Sequence, residues 1–251
     1  AARIQQSVKP GGVVAVILDR SEQMMIVPLA VVKAGCAYQP LDPSYPAERL
    51  AFMVQDAGAA LLIADPGLET KVAGFEGPVL LTDSFNGLPE GKPSGTPHAD
   101  DLLILLYTSG TTGNPKGCML TQRNVAAFAR NSAARLGIGP GSRMTAYASF
   151  GFDAFMGDLW TCLCAGATLH IIPEQIRLDL VALKDYFETN GITHAFMTTQ
   201  VATQFAMTFP RCKGLKVLYT GGEKMASFAP PAYHLDRKSG SAGMPRPISY
   251  A

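Results

Sequence analysis

The sequence predicts an α/β protein built in layers, with mostly parallel β-sheets flanked by helices. Three observations predict it. Short apolar runs alternate with helical patterns along the whole chain, one run after position 101 is apolar without a break, and Ser, Pro and Gly stand at the joints. Residues 13–18 (VVAVIL) read as a buried strand, and 22–32 as a helix starting after Ser21, a side chain suited to capping. Residues 46–56 read as a helix with proline near its first turn. Residues 60–63 and 79–81 read as strands, and 87–100, rich in Gly and Pro, as an exposed connection. Residues 102–107 (LLILLY) do not alternate, as expected of a strand covered on both faces. Residues 123–136, 155–164, 178–190 and a stretch from Gln200 suit helices, the third closed by Gly191. Strands at 144–148, 168–172, 192–197 and 215–220 complete the alternation. Crossovers of one hand then bring the loops after the strands to one sheet edge, where ligands of such folds bind. The chain has no internal repeat.

Composition removes several function classes. Of 251 residues, 47% are hydrophobic and 16% charged, which suits a large core and not a disordered chain. The net charge is +1 with Lys and Arg scattered, so the basic stripe of a nucleic-acid binder is missing. No apolar run is long enough to span a bilayer, so no membrane partner is expected. The cysteines are Cys36, Cys118, Cys162, Cys164 and Cys212. They form no Cys-x-x-Cys pair and have no matching histidine spacing, so no metal site is assigned and all five read as buried free thiols. With no signal peptide in view, a reducing cytoplasm is the expected compartment. The start itself is not diagnostic, because Ala1 is not an initiator methionine.

The segment that carries chemistry follows the LLILLY run: Thr108, Ser109, Gly110, Thr111, Thr112, Gly113, Asn114, Pro115, Lys116, Gly117. Glycines allow close backbone approach to a ligand, hydroxyls supply short donors, and Lys116 supplies a charge on a long stem. These residue types between a strand and a helix suit a polyphosphate better than they suit a plain surface turn. The spacing is not that of a Walker loop, and no Gly-x-Gly-x-x-Gly follows a strand.

YTSGTTGNPKG, residues 107–117, resembles the phosphate-binding signature of the adenylate-forming enzymes, which include acyl-CoA synthetases, luciferases and the adenylation domains of nonribosomal peptide synthetases. Residues 31–57, FGFDAF at 150–155 with the GDLWTCLCAGATLHI that follows, and LKVLYTGGEKM at 215–225 are similar to the peptide-synthetase branch. The resemblance runs from about residue 13 to 225. It implies the N-terminal core of the acetyl-CoA synthetase-like fold, ATP with Mg²⁺, and an amino acid activated as an adenylate. The acceptor would be a phosphopantetheine thioester on a carrier protein or domain. It places Thr108, Ser109, Gly110, Thr111, Thr112, Gly113 and Lys116 on the phosphates, and Gly221, Gly222 and Glu223 at the adenine. Asp153 would hold the substrate's α-ammonium group, and Ala154, Gly157, Phe196, Tyr219 and Gly221 would line its side-chain pocket.

Taken without the resemblance, Asp153 equally suits an N-cap, Gly221-Gly222 a turn, and the space beside Gly157 could be filled by Phe155 or Met156. Histidines 98, 170, 194 and 234 show no spacing for a base or metal, and His170 and His194 read as satisfied structural residues. Tyr147, Phe150 and Phe152 read as core or pocket wall. Gln122 stands where many members of the family carry histidine. After Leu235 the family's Asn-Gly-Tyr-Gly-Pro-Thr-Glu segment is not found. The expectation is therefore an N-terminal core subdomain over residues 1–251, missing a segment near 235–236 and lacking the C-terminal subdomain with its catalytic lysine. No catalytic residue is assigned, and weak nucleotide binding with little adenylation is expected of the fragment. The rival readings are an acyl- or aryl-CoA synthetase, and a non-catalytic nucleotide-binding or interaction module.

Overall fold

The computed structural model describes residues 1–85, 91, 97–108, 115–221 and 231–237. The chain divides into two units, residues 1–125 and 126–245. In the first, the elements run α1 (Ala2–Gln5), β1 (Val13–Ile17), α2 (Gln23–Lys33), β2 (Ala37–Leu41), α3 (Ala47–Asp56), β3 (Leu61–Ala64), β4 (Val79–Leu81), β5 (Leu102–Thr108) and β6 (Lys116–Thr121). They form a six-stranded sheet of order β4-β3-β1-β2-β5-β6, parallel except for β6, which pairs antiparallel with β5. Ala15, Ile17, Leu41, Leu62, Leu105 and Tyr107 from the strands pack against Leu50 and Met53 of α3. The helix α2 starts one residue later than expected, so Glu22 and not Ser21 holds the N-cap place, while the Ser21 hydroxyl accepts from the Gln23 N–H at 3.3 Å.

Two strands escape the sequence pattern. In β2 (AYQPL) a proline and a buried glutamine interrupt the apolar run, and proline argues against a central strand. The strand forms all the same. It keeps five register partners on β1 and one on β5, so the ladder is short on the side of its weaker neighbour. The second is β6. The phosphate-loop segment was expected to lead straight into a helix, but KGCMLT forms a strand first. From Gly117 on its burial alternates, with Cys118 and Leu120 inward and Gly117 and Met119 outward, as on a half-covered edge.

The helix α4 (Gln122–Leu136) carries the chain into the second unit, which continues with β7 (Arg143–Ala146), α5 (Asp153–Ala165), β8 (Thr168–Ile171), α6 (Leu180–Thr189), β9 (His194–Thr198), α7 (Thr199–Thr208), β10 (Val217–Gly221) and β11 (His234–Arg237). Its five strands lie in the order β11-β10-β9-β7-β8, and every pairing is parallel. Successive residues serve opposite faces. Ala195, Met197 and Leu218 join Leu183, Phe187 and Phe205 in one cluster, whereas Val217 and Tyr219 join Leu136, Met144 and Cys162 in another.

Gly166 ends α5 with φ +67°, the left-handed conformation that glycine adopts without strain. Asp179 caps α6 by accepting from the Val181 and Ala182 N–H groups, both at 3.0 Å. Cys164 is exposed, contrary to expectation, because it lies on the solvent side of α5 while Cys162 faces the sheet. No helix among the described residues is long and apolar enough to cross a membrane.

Candidate functional site

In the first unit the strand β5 ends at Thr108 and β6 begins at Lys116. These two residues are register partners, as are Tyr107 and Gly117 one step further in. Thr108 and Lys116 are exposed at the carboxyl end of β5. Ser109, Gly110, Thr111, Thr112 and Gly113 lie outside the described residues.

The base of this connection is anchored. The buried Tyr107 donates its hydroxyl proton to Asp56 Oδ2 of α3 at 2.6 Å. Burial, then the hydrogen bond and charge of Asp56, push the phenol above its ordinary range. A Cβ on Gly117 would lie 3.2 Å from Leu105 and 3.3 Å from the Tyr107 ring, so glycine lets β6 pass close over the ring. Nearby strand ends are tied as well. Asp65 accepts from the Asp19 N–H at 2.8 Å and from the Thr82 hydroxyl at 2.5 Å. A cation and a hydroxyl held at the carboxyl end of a parallel sheet are chemically fitted to an anion.

In the second unit Asp153 is the first residue of α5 and is exposed. It is not the N-cap: Phe152 holds that place and makes no capping bond, because the helix starts two residues earlier than the apolar pattern suggested. The Asp153 carboxylate still stands where a helix N-terminus favours negative charge. Ala154 is half-buried, and Gly157, one turn along, is buried. Gly221 ends β10, and its carbonyl accepts from the Thr199 hydroxyl at 3.2 Å, linking the carboxyl ends of β9 and β10. Gly222 and Glu223 lie outside the described residues.

Phe196 and Tyr219 are register partners on β9 and β10, with ring centroids 5.7 Å apart. The space at Gly157 is not open. A Cβ there would meet the Phe128 ring of α4 at 3.2 Å, so Phe128 occupies that space. The glycine therefore does not enlarge a pocket on that side.

Sequence reasoning missed Phe128, Thr199 and Asp158. Asp158 is 1% exposed and accepts the Tyr219 hydroxyl at 2.6 Å. An aspartate inside the apolar run FMGDLWTCLC was the available signal. Burial drives the Tyr219 phenol well up, with the Asp158 charge next in weight, and burial with Asp158 raises the Cys162 thiol to about 12.

His194 is satisfied, with Nε2 3.0 Å from the Leu136 carbonyl and Nδ1 2.8 Å from the Thr193 hydroxyl. His170 is not, since its buried Nε2 has no hydrogen-bond partner. Tyr147 and Phe150 are core, whereas Phe152 is 54% exposed. No three His, Cys, Asp or Glu side chains gather among the described residues where they could hold a metal ion.

Residues 1–233 match the family described as AMP-binding enzyme. Over 236 residues the chain is 38% identical to surfactin synthase subunit 2 of Bacillus subtilis, spanning 91% of this chain and 6% of that protein. The N-terminal subdomain of Klebsiella oxytoca NpsA, solved in complex with 3-hydroxybenzoyl-AMSN, superposes with a TM-score of 0.77. The two are 26% identical over 89% of this chain and 56% of that one. NpsA-ThdA, an artificially fused adenylation-PCP di-domain from the same organism, gives a TM-score of 0.79 at 27% identity, over 89% of this chain and 45% of that one. The chain thus spans a small part of the curated relative it matches and about half of the solved ones. Two mostly parallel sheets, a hydroxyl and a lysine rooted at one strand end and a match over nearly the whole chain lead to one assignment: this chain belongs to the AMP-binding enzyme family.

Proposed function

We propose that this chain belongs to an enzyme that activates an amino acid with ATP as an aminoacyl-adenylate, for transfer to a carrier-protein thioester in nonribosomal peptide synthesis. The observation that carries the amino-acid reading is Asp153, a carboxylate exposed at the start of α5 on the same sheet edge as the Gly221 end of β10. The 38% identity to a surfactin synthase subunit and the likeness to an adenylation-PCP di-domain support it.

In this reading the substrate carboxylate attacks the α-phosphorus of ATP and pyrophosphate leaves, a meeting of two anions that needs compensating charge. Lys116 and Thr108 would neutralise and orient the phosphates, and Ser109, Gly110, Thr111, Thr112 and Gly113 would complete that cradle. Losing one such donor typically raises a barrier by ~3 kcal/mol. Asp153 would fix the α-ammonium group, and Ala154, Gly157, Phe196, Tyr219 and Gly221 would bound the side chain. Gly221, Gly222 and Glu223 would meet the adenine. Mg²⁺ bound with the triphosphate would offset the same charge. The acceptor thiol would be a phosphopantetheine on a carrier domain.

A second reading, an aryl acid in place of the amino acid, is motivated by the aryl ligand of NpsA. An acid-dependent pyrophosphate-exchange panel on the complete adenylation domain separates the two. Exchange should depend on one amino acid and be lost in Asp153→Ala. Exchange with an aryl or fatty acid that survives Asp153→Ala would refute the amino-acid reading.

A further inference from the structure

The second unit buries a carboxylate that the reaction does not need. Asp158 follows Gly157 on α5 and points at the sheet, where Leu136, Met144, Cys162 and Val217 make an apolar surround for Tyr219. An ionised group in such a place is costly unless it is well bonded. The Tyr219 hydroxyl supplies a bond at 2.6 Å. A phenol has one proton to donate, and here Asp158 receives it. What remains of Tyr219 toward its neighbours is the ring, tilted 55° against Phe196. Beside them the Phe128 ring closes the space at Gly157. Phe128 at Gly157 and the Phe196–Tyr219 pair are therefore aromatic and apolar surfaces, and the one phenolic donor among them is turned to Asp158.

Resting on the reading of Asp153 and Gly221 as the bounds of the side-chain site, we infer that Asp158 is a positioning residue that holds the Tyr219 hydroxyl out of that site, so that the enzyme takes amino acids with apolar side chains and rejects those ending in a carboxylate or amide carbonyl. An acceptor group entering the site meets no donor from Phe128, Gly157 or Phe196, and the Tyr219 hydroxyl is already given to Asp158. An apolar side chain loses nothing there.

The test measures, by calorimetry on the 251-residue chain, the binding of non-hydrolysable aminoacyl-sulfamoyl adenosines carrying leucine, phenylalanine, glutamine or glutamate side chains. Leucine or phenylalanine should bind at least about tenfold more tightly than glutamine and glutamate. Asp158→Ala should release the hydroxyl and shrink that ratio several-fold, while Asp158→Asn, which still offers an acceptor oxygen, should restore it. In a Tyr219→Phe background Asp158→Ala should leave the ratio unmoved, since there is no hydroxyl to release. General loosening of the core would lower all affinities together and would not produce this pattern. An equal or tighter glutamine analogue in the wild-type chain overturns the proposal, as does an Asp158→Ala effect of the same size in both backgrounds. If Asp158→Ala does not fold, the wild-type ratio decides alone. Matched analogues lacking the α-amino group are run beside these. Equal binding with and without the amine refutes the role of Asp153, while the side-chain ratio within either series still judges Asp158.

Discussion

Removing the Tyr107 hydroxyl tests how the root of the proposed phosphate loop is held. In Tyr107→Phe the ring keeps its place beneath Gly117 and beside Leu105, so packing is conserved and only the 2.6 Å bond to Asp56 is lost. Asp56 is exposed, so water replaces the lost donor, and the net cost is about 1 kcal/mol. Asp56→Ala acts differently, because it strands a buried phenol. That costs roughly 2 kcal/mol, less about 0.5 kcal/mol for removing a negative charge from the C-terminal end of α3. The double variant should lose little more than the worse single one, a coupling of about 1 kcal/mol.

At roughly 2–4 °C of melting temperature per kcal/mol for a chain of this size, Tyr107→Phe should melt about 2–4 °C lower and Asp56→Ala about 3–6 °C lower. Urea melts followed by circular dichroism give the free energies directly. Two results would refute the reasoning. One is strict additivity of the two substitutions, and the other is a Tyr107→Phe variant as stable as the parent.

Two further outcomes follow from single features of the second unit. Asp179→Ala removes the acceptor of two N–H groups at the start of α6 and should cost about 1 kcal/mol, read as a lower urea midpoint with unchanged slope. Burial lowers the pKa of both His194 and His170 from the ordinary 6.5, so the folded state holds fewer protons there than the unfolded chain. The stability linked to them is complete above pH 6.5 and is lost as pH falls below it. The melting temperature should therefore drop between pH 7.5 and 5.5, and an equal or higher value at pH 5.5 contradicts this.

Much of the fold was legible because period and continuity report directly on burial. LLILLY is covered on both faces in β5, and the alternation after Met144 gives the second sheet almost strand by strand. What escaped depends on contacts distant in sequence. β2 tolerates Pro40 because β1 supplies its ladder, and nothing local says so. β6 exists because β5 offers it an edge, although KGCMLT has only two inward side chains. Of the candidate site, Asp153, Ala154, Phe196 and Gly221 could be named from the sequence, but their setting could not. Tyr219 meets Asp158 across 61 residues, and Gly157 meets Phe128 from the preceding helix. An empty position in a sequence is filled by whichever neighbour the tertiary fold brings.

The antiparallel return of β6 has a mechanical consequence. A parallel crossover would let the two feet of the connection part company, each following its own strand. Here Thr108 and Lys116 face each other on one rung of the ladder, about 5 Å apart. The rungs below them, Tyr107 with Gly117 and Leu106 with Cys118, hold that spacing fixed. The lysine in turn swings from a fixed pivot, and its reach is set by its own stem alone.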